Sequence, residues 1–138
     1  MKVFLDTNVL LDAIVERQDK TFKENAKLIL QLGENGSLDL FMSVLSILTI
    51  AYVLKNMSAI TKKGIIRNLC SIVTPLPTLP EHIEAMLSSD INDIEDALQV
   101  QSALSGNCDI IITRDRSDYK YSGFPYLSPS EFLNRVLI

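Results

Sequence analysis

MKVFLDTNVLLD, residues 1–12, decides how the rest of the chain is read. Val3, Phe4 and Leu5 form a short β-branched and aromatic run of the kind that makes a buried strand. Asp6 follows at once, with Asn8 and then Val9, Leu10 and Leu11 opening a helix. A carboxylate therefore stands where a strand stops. In open parallel α/β sheets ligands bind in the crevice beyond the carboxyl ends of the strands, so the question is which residues join Asp6 there.

Working outward, the same alternation continues to the end of the chain. Thr21 with Glu24 reads as a capping box for a helix running to Leu32, stopped by Gly33 and Gly36. Leu38–Met42 reads as a strand, and Ser43 is placed to N-cap a helix over Val44–Asn56, the most apolar of the chain and so expected to be central. A further helix ends near Ile72. Val73–Leu76 is at most an edge strand, because Pro75 and Pro77 have no N–H to donate to a ladder.

Thr78, Pro80 and Glu81 open another helix. Asn92 with Glu95 is the expected cap of a helix reaching Leu104, closed by Gly106. Asp109–Thr113, DIIIT, is the clearest buried strand, and Ser128, Pro129, Ser130 and Glu131 form a capping box for a last helix through Leu137. Strands alternating with helices imply a mainly parallel sheet covered on both faces. The expected fold is a three-layer α/β/α sandwich forming one domain over residues 1–138.

Composition narrows the class. A chain of 138 residues, 47% of them hydrophobic, with five Gly and five Pro, is that of an ordered globular protein. At this length folding buries about 68–70% of the unfolded surface, enough for a substantial core. The net charge of −4 argues against a protein that coats nucleic acid nonspecifically, but not against an enzyme that holds phosphate through metal ions. The longest apolar run, Val44–Leu54, falls short of the roughly 20 residues that span a bilayer. The N-terminus lacks a basic region followed by a signal-type apolar stretch. A soluble, cytoplasmic protein is expected, with Cys70 and Cys108 as buried, reduced packing residues.

Three acidic groups fall at equivalent places. Asp6 follows the first strand, Asp115 and Asp118 follow DIIIT, and Asp93, Glu95 and Asp96 open the helix that leads into DIIIT. If those two strands are neighbours, all three groups meet at one edge. Close carboxylates repel and raise one another's pKa unless a cation compensates, and hard divalent ions take oxygen ligands. Each group also has a structural reading: Asp6 or Asn8 as a helix cap, Asp93, Glu95 and Asp96 as macrodipole partners at a helix N-terminus, Asp115 and Asp118 as turn residues.

DTNVLLD, INDIEDALQVQSAL, DIIITRDRSDY and LSPSEFL, taken together and in order, resemble a PIN domain of the kind found in bacterial toxin-like ribonucleases, in a subgroup carrying EDALQ. The resemblance implies a metal-dependent nuclease acting on RNA with Mg²⁺ or Mn²⁺, an antitoxin protein as partner and a homodimer. It makes Asp6, Asp96 and Asp115 the metal ligands, with Asp118 a neighbouring or alternative ligand. Thr7 and Asn8 match the family's DTN, Ser43 its small polar residue before the central helix, and Thr113 a hydroxyl partner for Asp6. One position departs: many PIN nucleases carry a Glu where this chain has Thr49, and Asp93, Glu95 or Asp118 is left to compensate.

For substrate contact, Arg114 and Lys120 flank the acidic residues and are the expected phosphate-binding groups. Lys55, Lys62, Lys63 and Arg67 read first as a solvated helix face, Tyr119, Tyr121, Phe124 and Tyr126 as packing beneath a loop, and His82 has no assigned role. The main alternative is a PIN-like binding or regulatory module with a weakened site. A haloacid dehalogenase-like phosphotransferase would need a second Asp where Asn8 stands. A receiver domain would need an acidic pair before a phosphorylated Asp, and dinucleotide binding its glycine fingerprint.

Overall fold

The computed structural model describes residues 1–16 and 19–137. Five strands, β1 (Lys2–Leu5), β2 (Asp39–Ser43), β3 (Val73–Leu76), β4 (Ile110–Ile112) and β5 (Tyr126–Leu127), form one sheet in the order β3-β2-β1-β4-β5. Every neighbouring pair is parallel. Among the described residues the helices are α1 (Thr7–Ile14), α2 (Lys20–Glu34), α3 (Val44–Val53), α4 (Ala59–Ile72), α5 (Pro80–Leu87), α6 (Ile94–Ser105), α7 (Arg116–Tyr119) and α8 (Pro129–Val136).

Strand alternation divides the core in two. Val3, Leu5 and Ile112 pack with Leu10, Ile29, Ile50 and Leu69 on one face of the sheet, whereas Phe4 and Ile111 pack with Ala97, Val100 and Ala103 of α6 on the other. This is the expected three-layer α/β/α arrangement. The strand order runs outward from β1 to β3, then resumes at β4 on the opposite side of β1. That reversal opens a crevice at the carboxyl ends of β1 and β4. Leu5 pairs with Ile112, and the Asp6 N–H donates to the Ile112 carbonyl at 3.0 Å. Asp6 continues the alternation on the Phe4 face, towards α6.

Several local expectations are corrected. α3 is not central: Leu48 and Tyr52 are each 68% exposed, and the buried side of the helix is Ser46 and Ile50. The Asp19 carboxylate, not Thr21, caps α2 by accepting from the Thr21 N–H, and Asp93, not Asn92, caps α6 by accepting from the Asp96 N–H. α2 begins at Lys20, so Thr21 already lies inside the helix and Asp19 holds the cap position, whereas α6 begins at Ile94, one residue later than a cap at Asn92 requires. Gly33 lies inside α2, where an added Cβ would meet Leu40, and only Gly36 takes a left-handed φ of +82°. At the end of α6 Gly106 serves close approach to Leu76, and Asn107 supplies the left-handed residue at φ 55°. Cys108 is buried, but Cys70 is only half-buried, and both thiols are free. Among the described residues no helix is long and apolar enough to cross a membrane.

Candidate metal centre

Three segments converge beyond the ends of β1 and β4. β1 delivers Asp6 and Thr7, β4 delivers Thr113 with Asp115 and Asp118 just after it, and the first two turns of α6 deliver Glu95, Asp96 and Gln99. Each arrives for a local reason. Asp6 is the residue between a strand and a helix, and the helical spacing of three places Gln99 one turn after Asp96 on the same side of α6.

The Asp6 carboxylate is buried, with both oxygens hydrogen-bonded. Its Oδ2 accepts from the Thr113 hydroxyl at 2.6 Å and from Asn8 Nδ2 at 3.2 Å, and its Oδ1 accepts from Gln99 Nε2 at 3.1 Å. Gln99 Nε2 also lies 3.3 Å from Asp96 Oδ1, which accepts in addition from the Tyr119 hydroxyl at 3.3 Å. A second chain of hydroxyls runs beside this one. Thr7 Oγ1 lies 2.6 Å from Ser46 Oγ and donates to Glu95 Oε1 at 2.7 Å. Having one hydrogen, Thr7 gives it to Glu95 and accepts from Ser46.

Burial and mutual repulsion govern the charges. Removal from water pushes the Asp6 pKa above its ordinary value; the bonds from Thr113 and Gln99 oppose this, and the nearby Glu95 charge adds to it. Asp96 is pushed up to about 8, first by burial and then by the charges of Asp6, Asp93 and Asp118. The same surroundings hold the Tyr119 phenol above its ordinary range. Asp93, Asp96 and Asp118 each offer a carboxylate oxygen within 4.8 Å of the others.

A recess of about 260 Å³ opens over these groups. Asp6, Asp96 and Asp115 line it, together with Asn8, Thr49, Asp93 and Glu95. Thr49 therefore lies at the site, a hydroxyl residue at the position where the resemblance has a Glu. The ion pairs among the described residues, Lys23–Glu16, Arg114–Asp12 and Arg116–Glu131, all lie elsewhere. Crowded carboxylate oxygens, with no basic residue among the described ones that line the recess, suit a hard divalent cation. The donor set fits the metal that the sequence led us to expect.

Other expected site residues are placed differently. The Arg114 side chain is not in the recess. Its guanidinium makes a two-point contact with Asp12, at 2.6 and 3.2 Å, and stacks 4.3 Å over the Phe22 ring. Lys120 is exposed, 4.9 Å over Tyr121. Ser43 is buried and caps α3 by accepting from the Leu45 N–H, whereas Ser46, one turn later, makes the contact with Thr7. Asp115 is at the rim, accepting from the Ser117 hydroxyl at 2.8 Å. His82 acts as a cap, its Nδ1 accepting from the Leu79 N–H at 3.0 Å.

Sequence reasoning missed Ser46, Gln99 and Tyr119. Ser46 and Thr49 had a signal, being polar residues three apart in an apolar run. Gln99 had one too, as an amide one helical turn beyond Asp96 and so on the same side of α6.

The comparisons with known proteins agree with this fold. The chain is 32% identical to "Ribonuclease VapC1" of Aquifex aeolicus (strain VF5), over 97% of its own length and 94% of that protein's. Its fold is similar to a chain of VapBC-1 from nontypeable Haemophilus influenzae, with a TM-score of 0.68, 18% identity, and 94% and 99% of the two chains covered. It is also similar to a chain of VapBC2 from Rickettsia felis, solved bound to a promoter DNA fragment, with a TM-score of 0.67, 14% identity, and 93% and 98% covered. A PIN domain family model matches residues 2–117, which takes in β1, α6 and β4 with every acidic residue that lines the recess, so the chain belongs to the PIN domain family.

Proposed function

We propose that this chain is a divalent-metal-dependent endoribonuclease that hydrolyses RNA and acts as the toxin of a toxin–antitoxin pair. One observation carries the reading: residues as distant as Asp6 and Asp96 lie against one buried amide, with Asp115 on the same recess. Such crowding is unfavourable until a cation arrives. In this reading Asp6, Asp96 and Asp115 hold Mg²⁺ or Mn²⁺, with Asp118 beside Asp96. Thr113 and Asn8 fix the Asp6 carboxylate, and Thr7, steadied by Ser46, fixes Glu95. The cation supplies Lewis-acid polarisation of the scissile phosphodiester and neutralises its developing charge. Lys120, with exposed Tyr121 beside it, is the basic group for the RNA backbone, and Arg114 serves the scaffold. The identity to a VapC ribonuclease supports the activity, and the VapBC structures support an antitoxin partner.

The test is cleavage of single-stranded and structured RNA with Mg²⁺, Mn²⁺ or EDTA, comparing wild type with Asp6→Asn and Asp96→Asn. Cutting that needs the metal and is abolished by both substitutions is expected. Cutting that survives both, or is absent with either metal over a broad RNA panel, overturns the reading. Thr49 in the recess favours one alternative, a PIN-like module that binds RNA without cutting it. That protein would retain RNA in a filter-binding assay with no cleavage in any metal.

A further inference from the structure

Gln99 is fully buried, yet every polar atom of its side chain is in use. Its Oε1 accepts from the Thr7 N–H at 3.3 Å. Its Nε2 has two hydrogens and three acceptors around it: Asp6 Oδ1 at 3.1 Å, Asp96 Oδ1 at 3.3 Å and Tyr119 Oη at 3.3 Å. The partners fix which way the amide points. Turned over, it would set its oxygen against two carboxylate oxygens and its NH₂ against an N–H. Tyr119 gives its own hydrogen to Asp96, and carboxylate oxygens accept more strongly than a phenol, so the two amide hydrogens fall to the two acids.

We propose that Gln99 is the positioning residue of the metal centre: one neutral amide, anchored on the Thr7 backbone, holds Asp6 and Asp96 together without a cation. The inference rests on the proposed reading that these acids bind a metal. A neutral donor suits the task for two reasons. A Lys or Arg there would neutralise the carboxylates and compete with the ion, whereas an apolar residue would remove the donor that the two buried acids share. The amide supplies hydrogen bonds and no net charge. The acids stay close enough to bind and electrostatically hungry enough to need the ion. Gln99 does not line the recess, so it acts through Asp6 and Asp96.

Binding of Mn²⁺ alone, measured by calorimetry, tests this on wild type, Asp6→Asn, Gln99→Leu and Gln99→Glu. Gln99→Leu keeps similar volume and removes both donors. It is expected to weaken Mn²⁺ binding by about 10–100-fold, and to lower kcat at saturating Mn²⁺ while leaving KM for RNA unchanged. Gln99→Glu keeps the shape and adds a third carboxylate. Its metal-free melting temperature should fall, and Mn²⁺ should raise that temperature by more than it does in wild type. If wild type and Asp6→Asn bind Mn²⁺ alike, the metal-site reading itself fails. If Asp6→Asn loses binding but folded Gln99→Leu stays within about twofold of wild type, only the role of Gln99 is overturned. Should Gln99→Leu not fold, the Gln99→Glu melts decide: a Mn²⁺-induced shift equal to that of wild type rejects the proposal.

Discussion

Thr49 is the residue on which the strength of this site turns. It lines the recess beside Asp6 and Asp96, and it brings a hydroxyl without charge. Thr49→Glu would add a carboxylate from α3, opposite those from α6, and affinity for a hard cation rises with ligand charge. Mn²⁺ binding to Thr49→Glu is expected to tighten by on the order of tenfold, measured by calorimetry; unchanged affinity would place residue 49 out of ligand reach. Arg114 illustrates the opposite case, a basic residue beside an acidic motif that turns away to grip Asp12 and Phe22. Sequence proximity brought it to the edge of the site, and its side chain went to the other side of the chain.

Among the elements, α8 is the one whose formation is most directly written in its sequence. The Ser128 hydroxyl accepts from the Glu131 N–H at 3.2 Å, and the Glu131 carboxylate accepts from the Ser128 N–H at 3.0 Å, with Pro129 in the first turn. Those bonds hold the Glu131 pKa below its ordinary value. The cap matters because α8 buries Phe132 and Leu133 against the same core as α2. Ser128→Ala should cost about 1 kcal/mol, seen as a lower denaturation midpoint with an unchanged slope. In α3, by contrast, Val44, Leu48 and Tyr52 form an exposed stripe that hydropathy alone would have buried. Apolar character says a helix face wants cover, not which neighbour within the chain provides it.

For the whole molecule, gathering acids in one recess links stability to pH. The Asp96 carboxyl has an ordinary pKa of 3.8 and is pushed up to about 8 in the folded, metal-free protein. Between those values the folded state holds a proton that the unfolded state has released, so stability falls as pH rises. Metal-free melting temperatures should therefore decline from about pH 5 to pH 8. Added Mn²⁺ should raise the melting temperature more at pH 8 than at pH 6, because binding requires the deprotonated carboxylate. Differential scanning calorimetry at the two pH values checks both signs; a metal-induced shift that is larger at pH 6 would contradict this linkage.

The strands at Val3–Leu5 and Asp109–Thr113, the parallel α/β/α plan, the α8 capping box and the grouping of Asp6, Asp96 and Asp115 were all legible in the sequence. They depend on local periodicity and on where a chain leaves a strand, which neighbours along the chain decide. Only the tertiary structure decided that Ser46 rather than Ser43 meets Thr7, that Arg114 turns to Asp12, and that Gln99 stands between Asp6 and Asp96. Those pairings join residues roughly 40 to 100 positions apart, and a hydrogen bond across such a span is fixed by the sheet order and the roll of α3 and α6 against it. The opening motif supplied the first carboxylate; the reversal of strand order at β1 and β4 supplied its companions.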